Sequence, residues 1–149
     1  CIYTLKDYNP NTNDMEENIT SYKFDGKIYS KNPLTLDEFK QYVKSTNHDD
    51  KKVMKDIYRI VKMITNSVSF KICNFKNVNE STSFELFGGD VIFDSQLNPY
   101  VLELNKGPDM KPTNYDDPRY YKTKREVFRD IFDIIGLKKS GEKNRFHKL

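Results

Sequence analysis

Cysteine is scarce in this 149-residue chain, which has only Cys1 and Cys73. Two cysteines without a CxxC spacing provide neither a disulfide framework nor a cysteine-based metal site. This usage favours a reducing compartment. No apolar run approaches the roughly 20 residues of a membrane span, and no signal peptide is visible. The sequence therefore predicts a cytoplasmic protein without a membrane segment.

An excess of charge of one sign is also lacking. The 25 Lys and Arg nearly balance the 22 Asp and Glu, for a net charge of +3, so no global field predicts a nucleic-acid partner. No GxxxxGK[ST] loop occurs, which argues against a phosphate-binding-loop kinase. The basic excess lies at the end of the chain, and we interpret residues 138–149 as a flexible, solvated tail.

The chain does have ten Tyr and ten Phe, which supply bulky core residues in a sequence with a mean hydropathy of −0.81. Its length suits one domain or one lobe of a larger assembly. Because the chain begins with Cys1 rather than Met, we expect it to be a piece of a longer protein.

Three helices are predicted from local patterns. Thr35 and Glu38 form a capping box, which predicts a helix through about Lys44. Residues 50–66 place apolar side chains at helical spacing, and a last helix is predicted from about 117 to 135. Gly136 is a natural stop for that helix.

The remaining segments before the hairpin are less regular. Residues 1–34 are interpreted as loops and edge strands, with short extended pieces at 2–5 and 27–29. Together with the three helices and a β-hairpin at residues 84–105, this pattern predicts an α+β fold in which helices pack on an antiparallel sheet.

A β-hairpin is predicted for residues 84–105, with a turn at 95–98. If Asp94 and Pro99 flank the loop, antiparallel pairing puts Asp90 opposite Glu103. Since side chains alternate along a strand, Glu103 and Asn105 share a face. Two carboxylates that face each other across a strand pair repel.

A divalent cation would resolve this repulsion. Two carboxylates and an amide oxygen, from Asp90, Glu103 and Asn105, form an oxygen-rich site that suits Mg²⁺ or Mn²⁺ together with phosphate oxygens and water. We call these three residues the hairpin trio. The alternative is a half-exposed hairpin with two solvated acids, and spacing alone leaves both interpretations open.

A compound pattern around the hairpin trio resembles the tubulin–tyrosine ligase-like family of ATP-grasp ligases. It comprises Phe84–Gly88, Asp90, Pro99–Asn105 and Pro108. The residue types and the step of thirteen positions from Asp90 to Glu103 agree with the family pattern. Weaker similarity extends upstream and covers residues 1 to about 137, where Asn18–Tyr22 looks like the family's His-Leu-Thr-Asn segment.

The resemblance implies the C-terminal half of an ATP-grasp catalytic domain. The reaction would join an amino acid to a protein carboxylate through an acylphosphate, at the expense of ATP. The amino acid could be Tyr, Glu or Gly, and a basic tail would suit an acidic acceptor such as a tubulin tail. The lysines and adenine clamp of the earlier sub-domain are absent from this chain, so we expect the chain to be inactive on its own.

The resemblance also implies roles for single residues. Asp90, Glu103 and Asn105 would be the metal ligands, and Asn105 would also contact the nucleotide. Lys106 would reach a phosphate or the acceptor carboxylate as the catalytic residue, unless it is a solvated loop lysine.

Two residues far from the hairpin are further nucleotide-binding candidates, Lys6 facing phosphate and Thr20 donating a hydrogen bond. The family His and Asn are replaced by Asn18 and Ser21, which puts the contacts of that segment in doubt.

Two rival hypotheses stay open. A ligase-like module without activity could bind an acidic protein tail, as the replacements at Asn18 and Ser21 suggest. A metal-dependent nuclease would use Asp, then Glu-x-Lys, which Asp90 and Glu103 fit. The lysine of that motif would fall at 105, which is Asn, and this argues against the nuclease.

Overall fold

The computed structural model describes residues 1–20, 26–72, 84–110, 117–137, 139 and 141–147. The described elements, in chain order, are α1 (Met15–Asn18), a 3₁₀ turn (Ile28–Ser30), α2 (Leu36–Ser45), α3 (Asp50–Ile72), β1 (Phe87–Phe93), β2 (Pro99–Lys106) and α4 (Pro118–Ile134). The two strands form an antiparallel sheet. The predicted α+β class is confirmed.

The chain divides into two compact units. The first contains Cys1–His48 and Pro112–Glu126, and the second contains Asp49–Lys111 and Val127–Leu149. Helix α4 contributes its first half to one unit and its second half to the other. None of the described helices is long and apolar enough to span a bilayer.

The capping box at the start of helix α2 is confirmed. The Thr35 hydroxyl accepts a hydrogen bond from the Glu38 amide at 3.3 Å, and the Glu38 carboxylate accepts one from the Thr35 amide at 3.2 Å. Each side chain thus satisfies an amide that the helix leaves without a backbone partner. On the inner side of α2, Val43 is fully buried beside the core of the first unit.

Arg119, in the first turn of helix α4, joins several parts of the first unit. Its guanidinium donates to the Asp117 carboxylate at 2.8 Å, to Glu38 at 3.0 Å and to the Tyr29 carbonyl at 3.1 Å. The side-chain hydrogen bond from Arg119 lowers the pKa of Asp117 to about 2. Hydrogen bonds from the Leu34 backbone, and then from Thr35 and Arg119, hold the pKa of Glu38 below its usual range.

The two extended pieces predicted near the start of the chain are wrong. Residues 2–5 form no strand, and residues 27–29 lie in the turn that contains the 3₁₀ element Ile28–Ser30. Within the described residues neither piece pairs with a strand, since the sheet consists of β1 and β2. Tyr29 instead buries its ring against Tyr3, with the two ring centroids 6.0 Å apart, and the turn closes by local backbone bonds.

Helix α3 is longer than the predicted 50–66 and continues to Ile72. The Asp49 carboxylate begins it by accepting hydrogen bonds from the amides of Lys51 and Lys52. No Gly or Pro lies between 66 and 72 to end it. Val53 and Met54 are buried, and α3 packs against strand β2.

Gly136 ends helix α4 as predicted. Its φ is 73°, in the left-handed region that favours glycine. The Leu137 amide donates to the Phe132 carbonyl at 3.0 Å, and the Gly136 amide donates to the Asp133 carbonyl at 3.3 Å. These two bonds are those of a Schellman motif.

The described part of the C-terminal segment contacts helix α4. Asn144 donates to the Asp130 carbonyl at 2.8 Å, and Arg145 donates to the Asp130 carboxylate at 3.2 Å. Burial raises the pKa of Asp130, but hydrogen bonds from Arg129 and Arg145 outweigh burial and hold the pKa below its usual range. The boundary of the tail at residue 138 stays a prediction.

Candidate functional site

The register of the hairpin places Asp90 opposite Glu103 and Gly88 opposite Asn105. The predicted pairing of Asp90 with Glu103 is therefore confirmed. The register at the loop from which this pairing was predicted is wrong. Pro99 pairs with Phe93 rather than with Asp94, so the ladder near the loop is one residue out of the expected register. A β-bulge restores the pairing, because Leu102 is an extra residue between the partners of Asp90 and Val91.

The loop between the strands is fixed by Asp94. Its carboxylate accepts hydrogen bonds from the amides of Gln96 and Asn98, each at 2.9 Å, and from the Asn98 side chain at 2.8 Å. The Asn98 side-chain bond is the main reason that the pKa of Asp94 is lowered. Leu97 takes a positive φ of 61° to close the turn.

The three side chains of the hairpin trio lie on one face of the sheet, which we call the site face. The Asn105 side-chain nitrogen donates to the Glu103 carboxylate at 2.8 Å. Because the amide nitrogen is the donor, the Asn105 oxygen takes no part in this bond and keeps its acceptor capacity. All three residues are exposed, so their oxygens are open to an incoming ligand.

The donor set fits a hard divalent cation. Among the described residues no three His, Cys, Asp or Glu side chains come together as a metal site. The hairpin trio instead offers two carboxylates and one neutral oxygen. Mg²⁺ normally takes one or two carboxylates and completes an octahedron with water and substrate phosphates, so this set is of the right size and hardness.

Lys106 lies on the other face of strand β2, since it follows Asn105 directly. Its ammonium is 2.7 Å from the Glu85 carboxylate, and its side chain is 78% exposed. The ion pair crosses the open end of the hairpin. The hairpin itself does not bring Lys106 onto the site face, and its catalytic role stays a prediction.

Lys6 and Thr20 lie in the first unit. The Lys6 ammonium is 2.8 Å from Asp14 and 3.1 Å from Glu16, and these hydrogen bonds, Asp14 first, raise the pKa of Lys6. Its charge is thus already balanced by two acids. Thr20 is exposed and lies in a turn rather than at a strand end.

The segment matched to the family's His-Leu-Thr-Asn sequence is described only through Thr20, and Ser21 lies outside the described residues. Asn18 donates to the Thr12 carbonyl at 2.6 Å. Its side-chain nitrogen is therefore occupied by a local bond that closes the loop before helix α1.

One contact beside the hairpin trio was missed from the sequence. Pro108 folds back against Gly88, so closely that a Cβ on Gly88 would lie 3.0 Å from the Pro108 Cβ. The available signal was the Gly88-Gly89 pair inside a predicted strand, because strand glycines often mark a close approach of another chain segment.

Comparison with known proteins gives a consistent result. The sequence model of the Tubulin-tyrosine ligase family matches residues 6–144. The chain is 32% identical over 110 residues to the human "Probable tubulin polyglutamylase TTLL2", covering 72% of this chain and 17% of that protein. It is 33% identical over 101 residues to the "Probable beta-tubulin polyglutamylase" of Tetrahymena thermophila, covering 64% of this chain and 8% of that protein.

A relative that is named for a different activity is also similar. The chain is 33% identical over 85 residues to "Tubulin glycylase 3F" of Tetrahymena thermophila, covering 57% of this chain and 9% of that protein. The chain thus spans less than a fifth of the length of these relatives. No solved structure matches it.

Proposed function

Because the chain belongs to the tubulin-tyrosine ligase family, we propose that it forms part of an ATP- and Mg²⁺-dependent ligase that joins an amino acid to a protein carboxylate. The observation that supports this most directly is the hairpin trio. Asp90 and Glu103 are register partners on one strand pair, and Asn105 lies on the same face with its nitrogen bonded to Glu103.

The physical difficulty of such a reaction is the accumulation of negative charge, since ATP and an attacking carboxylate must meet before an acylphosphate can form. Bound Mg²⁺ or Mn²⁺ would neutralise phosphate charge. Asp90 and Glu103 would hold the cation, and Asn105 would add an oxygen without a third negative charge. Two carboxylates and one neutral oxygen would thus balance the charge of one divalent cation without exceeding it.

We further propose that the acceptor is an acidic protein segment and that the donor amino acid is glutamate. The relatives reported above that cover most of this chain are named tubulin polyglutamylases, which supports tubulin as the acceptor. A glycylase among the relatives makes glycine the second candidate. We also propose a cytoplasmic location, because the ligase would encounter a tubulin acceptor there.

The test is titration of Mn²⁺ with a non-hydrolysable ATP analogue into the full-length protein, followed by calorimetry. Glu103→Gln replaces one ligand oxygen and removes its charge, so we expect binding to fall at least about 100-fold. Asp37→Asn is the matched control, because it removes one negative charge from a side chain that is 75% exposed on helix α2. The control is expected to bind as the wild type does.

Other outcomes would select the rival hypotheses. A folded protein that binds neither Mn²⁺ nor nucleotide, but does bind an acidic tubulin-tail peptide, would favour the inactive binding module. Cleavage of DNA in the presence of Mn²⁺ without nucleotide would favour the nuclease. The position of Lys106 on the face opposite the hairpin trio argues against the nuclease, which needs its lysine beside the glutamate.

A further inference from the structure

The chain that leaves strand β2 turns back onto the end of strand β1. Gly107 has a φ of 67°, and its amide donates to the Leu86 carbonyl at 3.1 Å. On the reverse face, Lys106 pairs with Glu85 at 2.7 Å. On the site face, Pro108 packs on Gly88. Residues 106–108 therefore clasp both faces of the strand end, and we call them the hairpin clasp.

The position of Pro108 on the site face follows from the position of Gly88. Gly88 is two residues from Asp90 on the same strand and is the register partner of Asn105. A side chain at position 88 would stand beside Asn105, since cross-strand partners have Cβ atoms about 5 Å apart. A Cβ built there lies 3.0 Å from the Pro108 Cβ and 3.8 Å from its Cγ. The Pro108 ring therefore fills the place of the missing side chain.

We propose that Gly88 and Pro108 are positioning residues that hold Asn105 as a preformed metal ligand. The Asn105 side chain is bonded to Glu103 along the strand. Across the ladder, the Pro108 ring lies against Gly88, the register partner of Asn105, and so limits the room for the amide to turn. This inference rests on the proposed function, because it concerns a ligand of the same metal site.

The neighbouring glycine provides a built-in comparison. A Cβ on Gly89 would also meet an atom at 3.0 Å, but that atom is the Leu104 Cδ2, the far end of a flexible side chain on the reverse face. Leu104 is 38% exposed and can rotate away. The Pro108 ring cannot, because its Cβ is fixed to a backbone that Gly107 anchors to Leu86. Only substitution at Gly88 must move the hairpin clasp.

The experiment measures the affinity of the full-length protein for Mn²⁺ with a non-hydrolysable ATP analogue, and its urea unfolding, in matched variants. Gly88→Ala is expected to weaken binding about 10-fold to 100-fold, as loss of a group that orients a metal ligand typically does. Gly89→Ala adds the same methyl group to the same strand and is expected to stay within about twofold of the wild type.

Pro108→Gly tests the contact from the other side. It removes the ring and is expected to weaken binding by less than Gly88→Ala, since nothing is forced apart. In the Gly88→Ala/Pro108→Gly double variant the new methyl group meets no ring. We therefore expect the affinity of the double variant to equal that of Pro108→Gly alone. If the substitutions acted through a general loss of fold stability, the double variant would bind more weakly than Pro108→Gly.

Three results would overturn the inference while leaving the metal site in place. They are equal affinities of Gly88→Ala and Gly89→Ala, wild-type affinity in Pro108→Gly, and a double variant whose loss is the product of the single losses. If Glu103→Gln binds Mn²⁺ and the analogue as the wild type does, or if the wild type does not bind them, the proposed function fails and the positioning role fails with it.

Discussion

At the scale of single residues, the Arg119 guanidinium joins three partners in the first unit. One planar guanidinium serves two carboxylates and a carbonyl, from Asp117, Glu38 and Tyr29. Lysine cannot reproduce this arrangement, because an ammonium on a flexible stem lacks the rigid fork of donors. Glu38 also completes the cap of helix α2. The Glu38 carboxylate therefore links the start of this helix to Arg119.

The ion pair between Asp117 and Arg119 predicts that the free energy of unfolding depends on pH. The pKa of Asp117 is lowered to about 2, mainly by the Arg119 side-chain bond, whereas an Asp in the unfolded chain has a pKa of about 3.9. A lowered pKa stabilises the folded state above the unfolded value, and this contribution is lost as the pH falls toward the folded value. The free energy of unfolding should therefore fall between about pH 4 and pH 2.

Asp117→Asn isolates the contribution of Asp117. Urea unfolding followed by circular dichroism should show the variant less stable than the wild type at pH 7, and the two should converge toward pH 2. A constant difference across this range would mean that the carboxylate does not stabilise the fold through its ionised form.

At the scale of elements, the start of helix α2 depends on one hydroxyl. Thr35→Ala removes the acceptor for the Glu38 amide and is expected to lower the free energy of unfolding by about 1 kcal/mol. Thr65→Ala is the control, because the Thr65 hydroxyl only bonds back to the Val61 carbonyl within the exposed part of helix α3. It should be neutral or slightly stabilising. Equal losses in both variants in urea titrations would contradict the capping role.

The elements that were predictable from the sequence are those set by nearby residues. The capping box at Thr35 and the Gly136 stop are local motifs, and both are confirmed. The facing of Asp90 and Glu103 was also predictable, although only the bulge makes it correct. The alternating pattern of strand β2 gives no sign that Leu102 is extra, because a bulge depends on how both strands twist.

The elements that were not predictable depend on distant partners. The pieces at 2–5 and 27–29 have strand-like composition, but whether such a piece becomes a strand is decided by a neighbour that offers backbone bonds. The contact of Pro108 with Gly88 also joins residues 20 positions apart, so periodicity could not reveal it. The roles of the hairpin trio, Lys106, Lys6 and Thr20 remain predictions.

At the scale of the whole molecule, the described residues include few buried apolar side chains. The buried set consists of Tyr29, Leu34, Val43, Val53, Met54 and Ile131. Among these residues more large apolar side chains are exposed than buried, including Phe70 at 68% and Leu102 at 66%. Exposed apolar side chains promote binding to other surfaces or aggregation where they lie together.

We therefore expect the isolated 149-residue chain to bind the dye ANS and to self-associate at micromolar concentration. The full-length protein, compared at equal molarity, should give a weaker ANS signal per chain. Fluorescence titration and sedimentation would measure both effects. A monomeric isolated chain that is silent to ANS and unfolds with the usual free energy of about 5–15 kcal/mol would contradict this expectation.

The extra residue at Leu102 changes how related sequences should be aligned. If Leu102 were missing, Val101 would still pair with Val91, and Glu103 would follow directly opposite Asp90 in a regular ladder. A relative that is one position shorter between these two carboxylates would therefore keep the same site. A gap at this point in an alignment is compatible with retained chemistry, whereas a gap at Leu104 would put Glu103 and Asn105 on opposite faces.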